Sequence, residues 1–300
     1  MHRFKDVIVG VGLDDYDGTL IDYASLVAFM GHSDRLRFVH VQQTPLALGG
    51  LYQDYMTSLD ATSADVRQRL EDRVEAGFHG PSGADVRCEL REGNPLAELL
   101  YAAREGEADL VMVGKDHSGG ALAEKLARKA PCSVLIVPDA VPERIERVLV
   151  PVDFSDHAAD AADVAAAFAD AAELAELHFL HVYTVPTSYL KLGKTYEQAR
   201  SDIESRAREY LDAFVAGLDL HGLTAVAHVA AGDDVHAAIH EQIGALGADL
   251  VVIGTRGRTA GAAVLLGSVA ERTVRTTPVP TVAVKRKGAT LSLLDALFEL

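Results

Sequence analysis

Leu250-Val-Val-Ile-Gly254-Thr-Arg-Gly257, followed after nine residues by Gly267-Ser268, is the stretch from which the rest of the chain can be read. An apolar, β-branched run ends in two glycines, a small-residue segment follows, and a Gly-Ser pair opens the helical pattern Val269-Ala-Glu-Arg-Thr-Val-Arg275. Glycines let backbone N–H groups approach a ligand closely, and the unpaired amides and positive dipole end of a helix attract negative charge. The layout suits a phosphate.

The same alternation of short buried strand and helix recurs on both sides of this stretch. Asp6-Val-Ile-Val-Gly10-Val-Gly12 reads as a strand buried on both faces, since it is a short apolar run rather than an alternating one. Thr19 then precedes Leu20, Ile21, Leu26, Val27 and Met30 at near-helical spacing, and 36–41 returns to strand character. Ser58 to Phe78 reads as a polar-rich helix, and 84–90 as a third strand. Gly93-Asn94-Pro95 opens a helix reaching about Arg104, with Pro95 suited to its first turn. Asp109 to Gly114 is a fourth strand, Ala121 to Lys129 a helix, and Ser133 to Val137 a fifth strand.

The chain then repeats itself. Val9 and Val150 are 141 residues apart, His40 and His181 141, Gly93 and Gly232 139, and Gly114 and Gly254 140. Chance similarity does not hold register so closely, so the chain is an internal duplication of an alternating strand–helix unit. The expected architecture is α/β, with two tandem, doubly wound domains built on five-stranded parallel sheets. Their expected extents are residues 1–138 and 145–287, joined by a linker at 139–144 that carries Pro142. The tail, 288–300, places Leu291, Leu294, Leu297 and Phe298 on one helical face that suits packing on the body or on another subunit. Pro280 to Val284 is a strand that could pair between subunits.

The halves diverge after their fourth strands. Gly114 to Pro131 is 17 residues and Gly254 to Pro278 is 24, so the first half lacks seven residues within the glycine segment.

Composition narrows the function classes. Forty-four acids against 28 bases give a net charge of −16, which repels polyanions, and no basic cluster exceeds Lys285-Arg286-Lys287. Nucleic-acid binding is disfavoured. Cys88 and Cys132 have no CxxC spacing, so neither a disulfide scaffold nor a zinc site is expected. No apolar run approaches a membrane span, and the N-terminus enters strand pattern without a cleavable signal. The expectation is a cytoplasmic protein.

Other motifs weigh less. In a dinucleotide fingerprint beginning at Gly10, the third glycine would fall at Asp15, where an acid would face the pyrophosphate. Ser118-Gly119-Gly120 follows the wrong strand for a pyrophosphatase loop and reads as a turn. His236 and His240 stand four apart on a helix near Asp233 and Asp234, a pair that could ligate a metal or simply form an exposed helix face. His40 and His181 occupy equivalent strand ends, which favours a shared packing or hydrogen-bonding role over catalysis.

The pattern Gly254-x-x-Gly257-x9-Gly267-Ser268, together with Pro151-Val-Asp153-Phe-Ser155 at the end of the second half's first strand, resembles the universal stress protein family, and the chain resembles a tandem member with copies at 3–138 and 145–285. The resemblance implies an adenine nucleotide alpha hydrolase-like fold and ATP, with or without magnesium, as ligand. It implies contacts from Val152, Asp153, Val182, Gly254, Arg256, Gly257, Gly267 and Ser268. Asp153 and Val182 would meet the adenosine portion, and the glycines would surround ribose and triphosphate. It makes a homodimer plausible, with pairing inside the tandem chain as the alternative.

The first half has Gly12 where the second has Asp153, His117 where it has Gly257, and no Gly-Ser pair, so nucleotide is expected in the second half alone. No catalytic residue is identifiable. The P-loop lysine is missing, Val269 follows Ser268, and Arg256 and Arg258 could cover phosphates or lie in solvent. The leading expectation is therefore an ATP-binding protein of regulatory or stress-response role. The alternatives are a slow ATPase or nucleotidyl-transfer enzyme using the same pocket, and a non-binding interaction scaffold.

Overall fold

The computed structural model describes residues 4–43, 63–115, 120–257 and 266–285. His117, Arg258 and the apolar tail face lie outside the described residues. The chain divides into two compact units between Asp139 and Ala140.

The first unit contains β1 (Asp6–Gly10), α1 (Asp17–Gly31), β2 (Arg35–Gln42), α2 (Ser63–Gly77), β3 (Asp85–Glu92), α3 (Pro95–Glu105), β4 (Leu110–Gly114), α4 (Ala121–Lys129) and β5 (Ser133–Val137). Its strands lie in the order β3-β2-β1-β4-β5, all parallel. The second unit contains β6 (Val148–Pro151), α5 (Asp156–Ala171), β7 (Glu176–Tyr183), a 3₁₀ turn (Thr187–Leu192), α6 (Tyr196–Ala216), β8 (Thr224–Ala231), α7 (Val235–Leu246), β9 (Leu250–Gly254), α8 (Ser268–Thr276) and β10 (Thr281–Val284). Its order, β8-β7-β6-β9-β10, is the same topology again. These are the doubly wound α/β sheets that the duplicated pattern predicts.

The central strands read as continuous apolar runs because helices cover both faces. Val7, Ile8 and Val9 are fully buried, as are Val148, Leu149 and Val150 and then Leu250, Val251 and Val252. Duplication extends to the polar pins. Asp109 accepts hydrogen bonds from the Lys5 and Asp6 amides at 3.0 Å each, and Asp249 accepts from the Glu146 and Arg147 amides at 2.8 and 2.9 Å. Each carboxylate satisfies backbone donors at the start of the neighbouring strand.

One boundary differs from the sequence reading. Helix α1 begins at Asp17, before Thr19, and no side chain caps it. Thr19 instead donates to the Asp139 carbonyl at 3.2 Å. Helix α2 is described from Ser63, and the five residues from Ser58 lie outside the described part.

In the second unit, α7 and α8 pack on one sheet face through Leu149, Leu180, Val251, Ile239 and Ile243, with Val235 and Val269 at the margin. The opposite face of β7 carries His181, which stacks on Phe154 at 4.2 Å, and Phe154 in turn meets Phe214 of α6 at 5.8 Å. Chain order reverses between β6 and β9, which opens a crevice at their carboxyl ends.

Candidate functional site

A cavity of about 380 Å³ occupies that crevice. Val152, Asp153, Val182, Gly254, Arg256, Gly257, Gly267 and Ser268 all line it. Apolar walls come from Leu180, Val235, Ile239 and Val269. Mostly apolar surface with a few convergent polar groups is the usual make-up of a small-molecule site.

The strand-to-helix turn after β6 positions the carboxylate. Asp153 Oδ1 accepts from the Ser155 amide at 3.1 Å and from Ser155 Oγ at 2.6 Å, while Ser155 Oγ accepts from the Ala158 amide and caps α5. The carboxylate is thus fixed by the cap of the helix it precedes. Its other oxygen, Oδ2, stands 2.7 Å from where a Cβ on Gly257 would be.

The glycine segment is pinned at both ends. Thr255 is buried, donates through Oγ1 to the Val284 carbonyl at 3.0 Å, and accepts from the Gly267 amide at 2.8 Å. Entry and return of the segment are therefore tied together beside β9. Gly267 is the N-cap of α8 with ordinary extended backbone, φ −73° and ψ 149°, and no side chain caps that helix. Residues 267–270 line the cavity, so α8 presents its first turn and positive end to whatever fills it.

The three glycines act differently. A Cβ on Gly254 would meet the His157 carbonyl oxygen at 2.6 Å, so this position closes a strand–helix contact. A Cβ on Gly257 would push on Asp153, and one on Gly267 would meet nothing nearer than 3.6 Å. Gly257 thus leaves Asp153 its place at the cavity wall, and Gly267 leaves the first turn of α8 without a side-chain cap beside the cavity.

The equivalent place in the first unit is arranged otherwise. Its cavity is about 220 Å³. The buried Asp17 carboxylate accepts from the Gly12 amide at 2.8 Å, the Asp14 amide at 3.0 Å and Arg73 Nη1 at 3.0 Å; Arg73 also donates to the Asp14 carbonyl. Burial raises the Asp17 pKa above its usual value in spite of the Gly12 amide and Arg73. A Cβ on Gly12 would fall 2.7 Å from Asp14 Oδ2, so a carboxylate cannot stand there as Asp153 does unless Asp14 moves. Lys115 lines this cavity where Thr255 pins the other segment, and burial lowers its pKa. Seven fewer residues separate β4 from α4 than β9 from α8, which places the missing seven in this segment.

His40 and His181 make the same bond in both units, Nδ1 to a strand-end carbonyl at 2.9 Å, to Val11 and Val152 respectively. A carbonyl only accepts, so Nδ1 carries the proton. His236 meets Thr276 and Asp234 meets Arg272, and among the described residues no group of three or more His, Cys, Asp or Glu side chains is arranged to hold a metal. No helix among those residues is long and apolar enough to cross a membrane. Sequence reading missed the α7 wall, Val235 and Ile239, whose only signal was their place after the N-cap Asp234. It also missed the Thr255 pin and the Arg73–Asp17 contact, the latter 56 residues apart without any motif.

Fold and cavity together define a tandem, doubly wound α/β protein with a crevice at the switch point of each unit. The universal stress protein family profile matches residues 3–138 and 144–285, and the chain belongs to that family. A universal stress protein of Methanothermobacter thermautotrophicus is 32% identical over 72 residues, a match covering 21% of this chain and 49% of that protein. The chain thus spans about half the length of that relative. Two solved structures share the fold over nearly the whole chain. One, a universal stress protein from Archaeoglobus fulgidus, is 20% identical with a TM-score of 0.65, covering 95% of this chain and 99% of its own. The other, a functionally unknown protein of Pseudomonas aeruginosa PAO1, is 20% identical with a TM-score of 0.68, covering 99% and 98%.

Proposed function

We propose that the second unit holds one adenine nucleotide, ATP, in the crevice between β6 and β9, and that its occupancy serves a regulatory, stress-linked role. The observation that carries this reading is convergence: residues 152–153, 182, 254, 256–257 and 267–268 line a single cavity. The Asp153 carboxylate would accept from ribose hydroxyls, the Val182 backbone would meet the adenine edge, and the first turn of α8 with Ser268 would receive phosphate. Arg256, at the cavity wall, would add positive charge, and magnesium would accompany the phosphates as a ligand-borne ion. At about 380 Å³ the cavity falls within the range of small-molecule sites, roughly 300–1,000 Å³.

The first unit is proposed to serve as a structural counterpart. Its cavity of about 220 Å³ lies below that range, and Asp14 and Asp17 fill the turn after β1 that in the second unit presents Asp153. Turnover is proposed to be slow or absent, because none of the residues named at the cavity stands as a base for water. Thermal stabilisation of the intact chain by ATP tests the binding reading. Asp153→Ala and Gly267→Val should each abolish it, and stabilisation unchanged in both defeats the proposal. Phosphate release that persists through purification and vanishes in Gly267→Val would instead favour an ATPase.

A further inference from the structure

Helix α8 spans only nine residues, and its inner side is held by Ala270, Thr273 and Val274. Two polar contacts tie its outer side to α7. Arg272 Nη1 donates to Asp234 Oδ2 at 2.9 Å, and His236 Nε2 lies 2.5 Å from Thr276 Oγ1. The single Thr276 hydroxyl proton goes to the Arg272 carbonyl at 2.8 Å, so His236 is the donor in the second contact. Asp234 is also the N-cap of α7, its Oδ1 accepting from the Ala237 amide at 3.2 Å. One carboxylate therefore caps α7 with one oxygen and grips α8 with the other. The Ala237 amide, and after it Arg272, hold its pKa below the usual carboxylate value.

Both helices turn their first residues to the cavity, α7 through Val235 and Ile239 and α8 through Ser268 and Val269. The duplication provides an internal control. In the first unit the corresponding N-cap is Asn94, which accepts from the Ala97 amide at the same 3.2 Å but carries no charge. Leu96, Lys125 and Lys129 take the places of His236, Arg272 and Thr276. Helix α4 is held there by Ala123, Leu126 and Ala127, so a helix in this place packs without such contacts. What the second unit adds is the longer glycine segment leading into the helix and the cavity its first turn lines.

We propose that Asp234 and Arg272, supported by His236 and Thr276, are positioning residues that hold the first turn of α8 in place to receive an anionic group of the ligand. The positioning claim rests on the nucleotide reading above. An ion pair this exposed has a modest effect, about two- to fivefold in an equilibrium.

Asp234→Asn is the decisive variant, because it reproduces the state of the first unit, keeps the α7 cap and releases Arg272. Arg272→Gln removes the other partner, and Arg272→Lys retains the charge. In the full chain without ligand, hydrogen exchange of the α8 amides should quicken about two- to fivefold in Asp234→Asn, in Arg272→Gln and in the double variant alike. Arg272→Lys should stay near wild type, and α4 should not respond. Magnesium-ATP titration should weaken by similar factors in the same order. Unchanged α8 exchange in Asp234→Asn overturns the clamp. Weaker ATP binding in Arg272→Gln with none in Asp234→Asn also overturns it, since Arg272 would then meet phosphate directly. Wild-type protein that takes up no ATP defeats the nucleotide reading and the positioning role with it, while the exchange measurement still decides whether the clamp holds α8.

Discussion

Replacing glycines by alanine one at a time separates what holds the fold from what keeps the cavity open. At Gly254 the added methyl would lie 2.6 Å from the His157 carbonyl oxygen and 2.9 Å from its carbon. Both atoms are backbone, so β9 and α5 must part by several tenths of an ångström. Such overpacking costs about 1–3 kcal/mol. At about 2–4 °C per kcal/mol for a unit of this size, the midpoint should fall by about 2–12 °C. Its counterpart Gly114 has nothing within 4 Å of the added carbon and no left-handed backbone. Gly114→Ala should leave stability unchanged or raise it by up to about 1 kcal/mol, because alanine restricts the unfolded chain. Gly257→Ala displaces only the end of the Asp153 side chain, and Gly267→Ala meets ordinary contacts at 3.6 Å, so both should melt within a degree or two of wild type. Their effect should appear in ATP affinity, which should drop about tenfold or more where a displaced Asp153 carboxylate or a methyl crowding the first turn of α8 weakens a charged hydrogen bond. Differential scanning calorimetry with ATP titration reads both quantities. Equal melting of Gly254→Ala and Gly114→Ala, or full ATP affinity in Gly267→Ala, would refute this division of roles.

Three further outcomes are expected. His178 and His228 face each other across β7 and β8 at 3.1 Å, and burial lowers both pKa values below 6.5. The folded chain then binds fewer protons than the unfolded one, so stability is held above pH 6.5 and lost as pH falls through the lowered values. Melting curves between pH 7.5 and 5.5 should show a shallower decline in a His178→Asn, His228→Gln variant. Asp249→Ala removes the acceptor of two strand amides and should cost about 1–3 kcal/mol in urea unfolding, with Asp109→Ala similar. Arg73→Gln strips the buried Asp17 of its cation and should cost about 1.5–3 kcal/mol while leaving ATP affinity unaltered; an altered affinity would show that the first unit participates in binding.

Particular residues show why the fold was legible and parts of the site were not. Val7–Val9 and Leu250–Val252 are buried on both faces, so their identity as central strands is written in unbroken apolar runs. The duplicated offsets carry the topology twice, and Asp109 and Asp249 show that even polar pins kept register. The eight residues assigned from spacing and resemblance meet at one cavity because a parallel sheet gathers all strand ends on one side. Helix α1 was harder, since Asp17 faces back to Gly12 and Asp14 and leaves no capping side chain to mark the start. Contacts such as Arg73–Asp17 and Arg272–Asp234 join separate elements through long side chains, and no periodicity records them.

The central claim is one nucleotide per chain, held by the second unit. Isothermal titration of purified, nucleotide-stripped protein with magnesium-ATP tests it most directly. The expected stoichiometry is one, falling to none in Gly267→Val. Two sites per chain, or one site that survives both Gly267→Val and Asp153→Ala, would contradict the account.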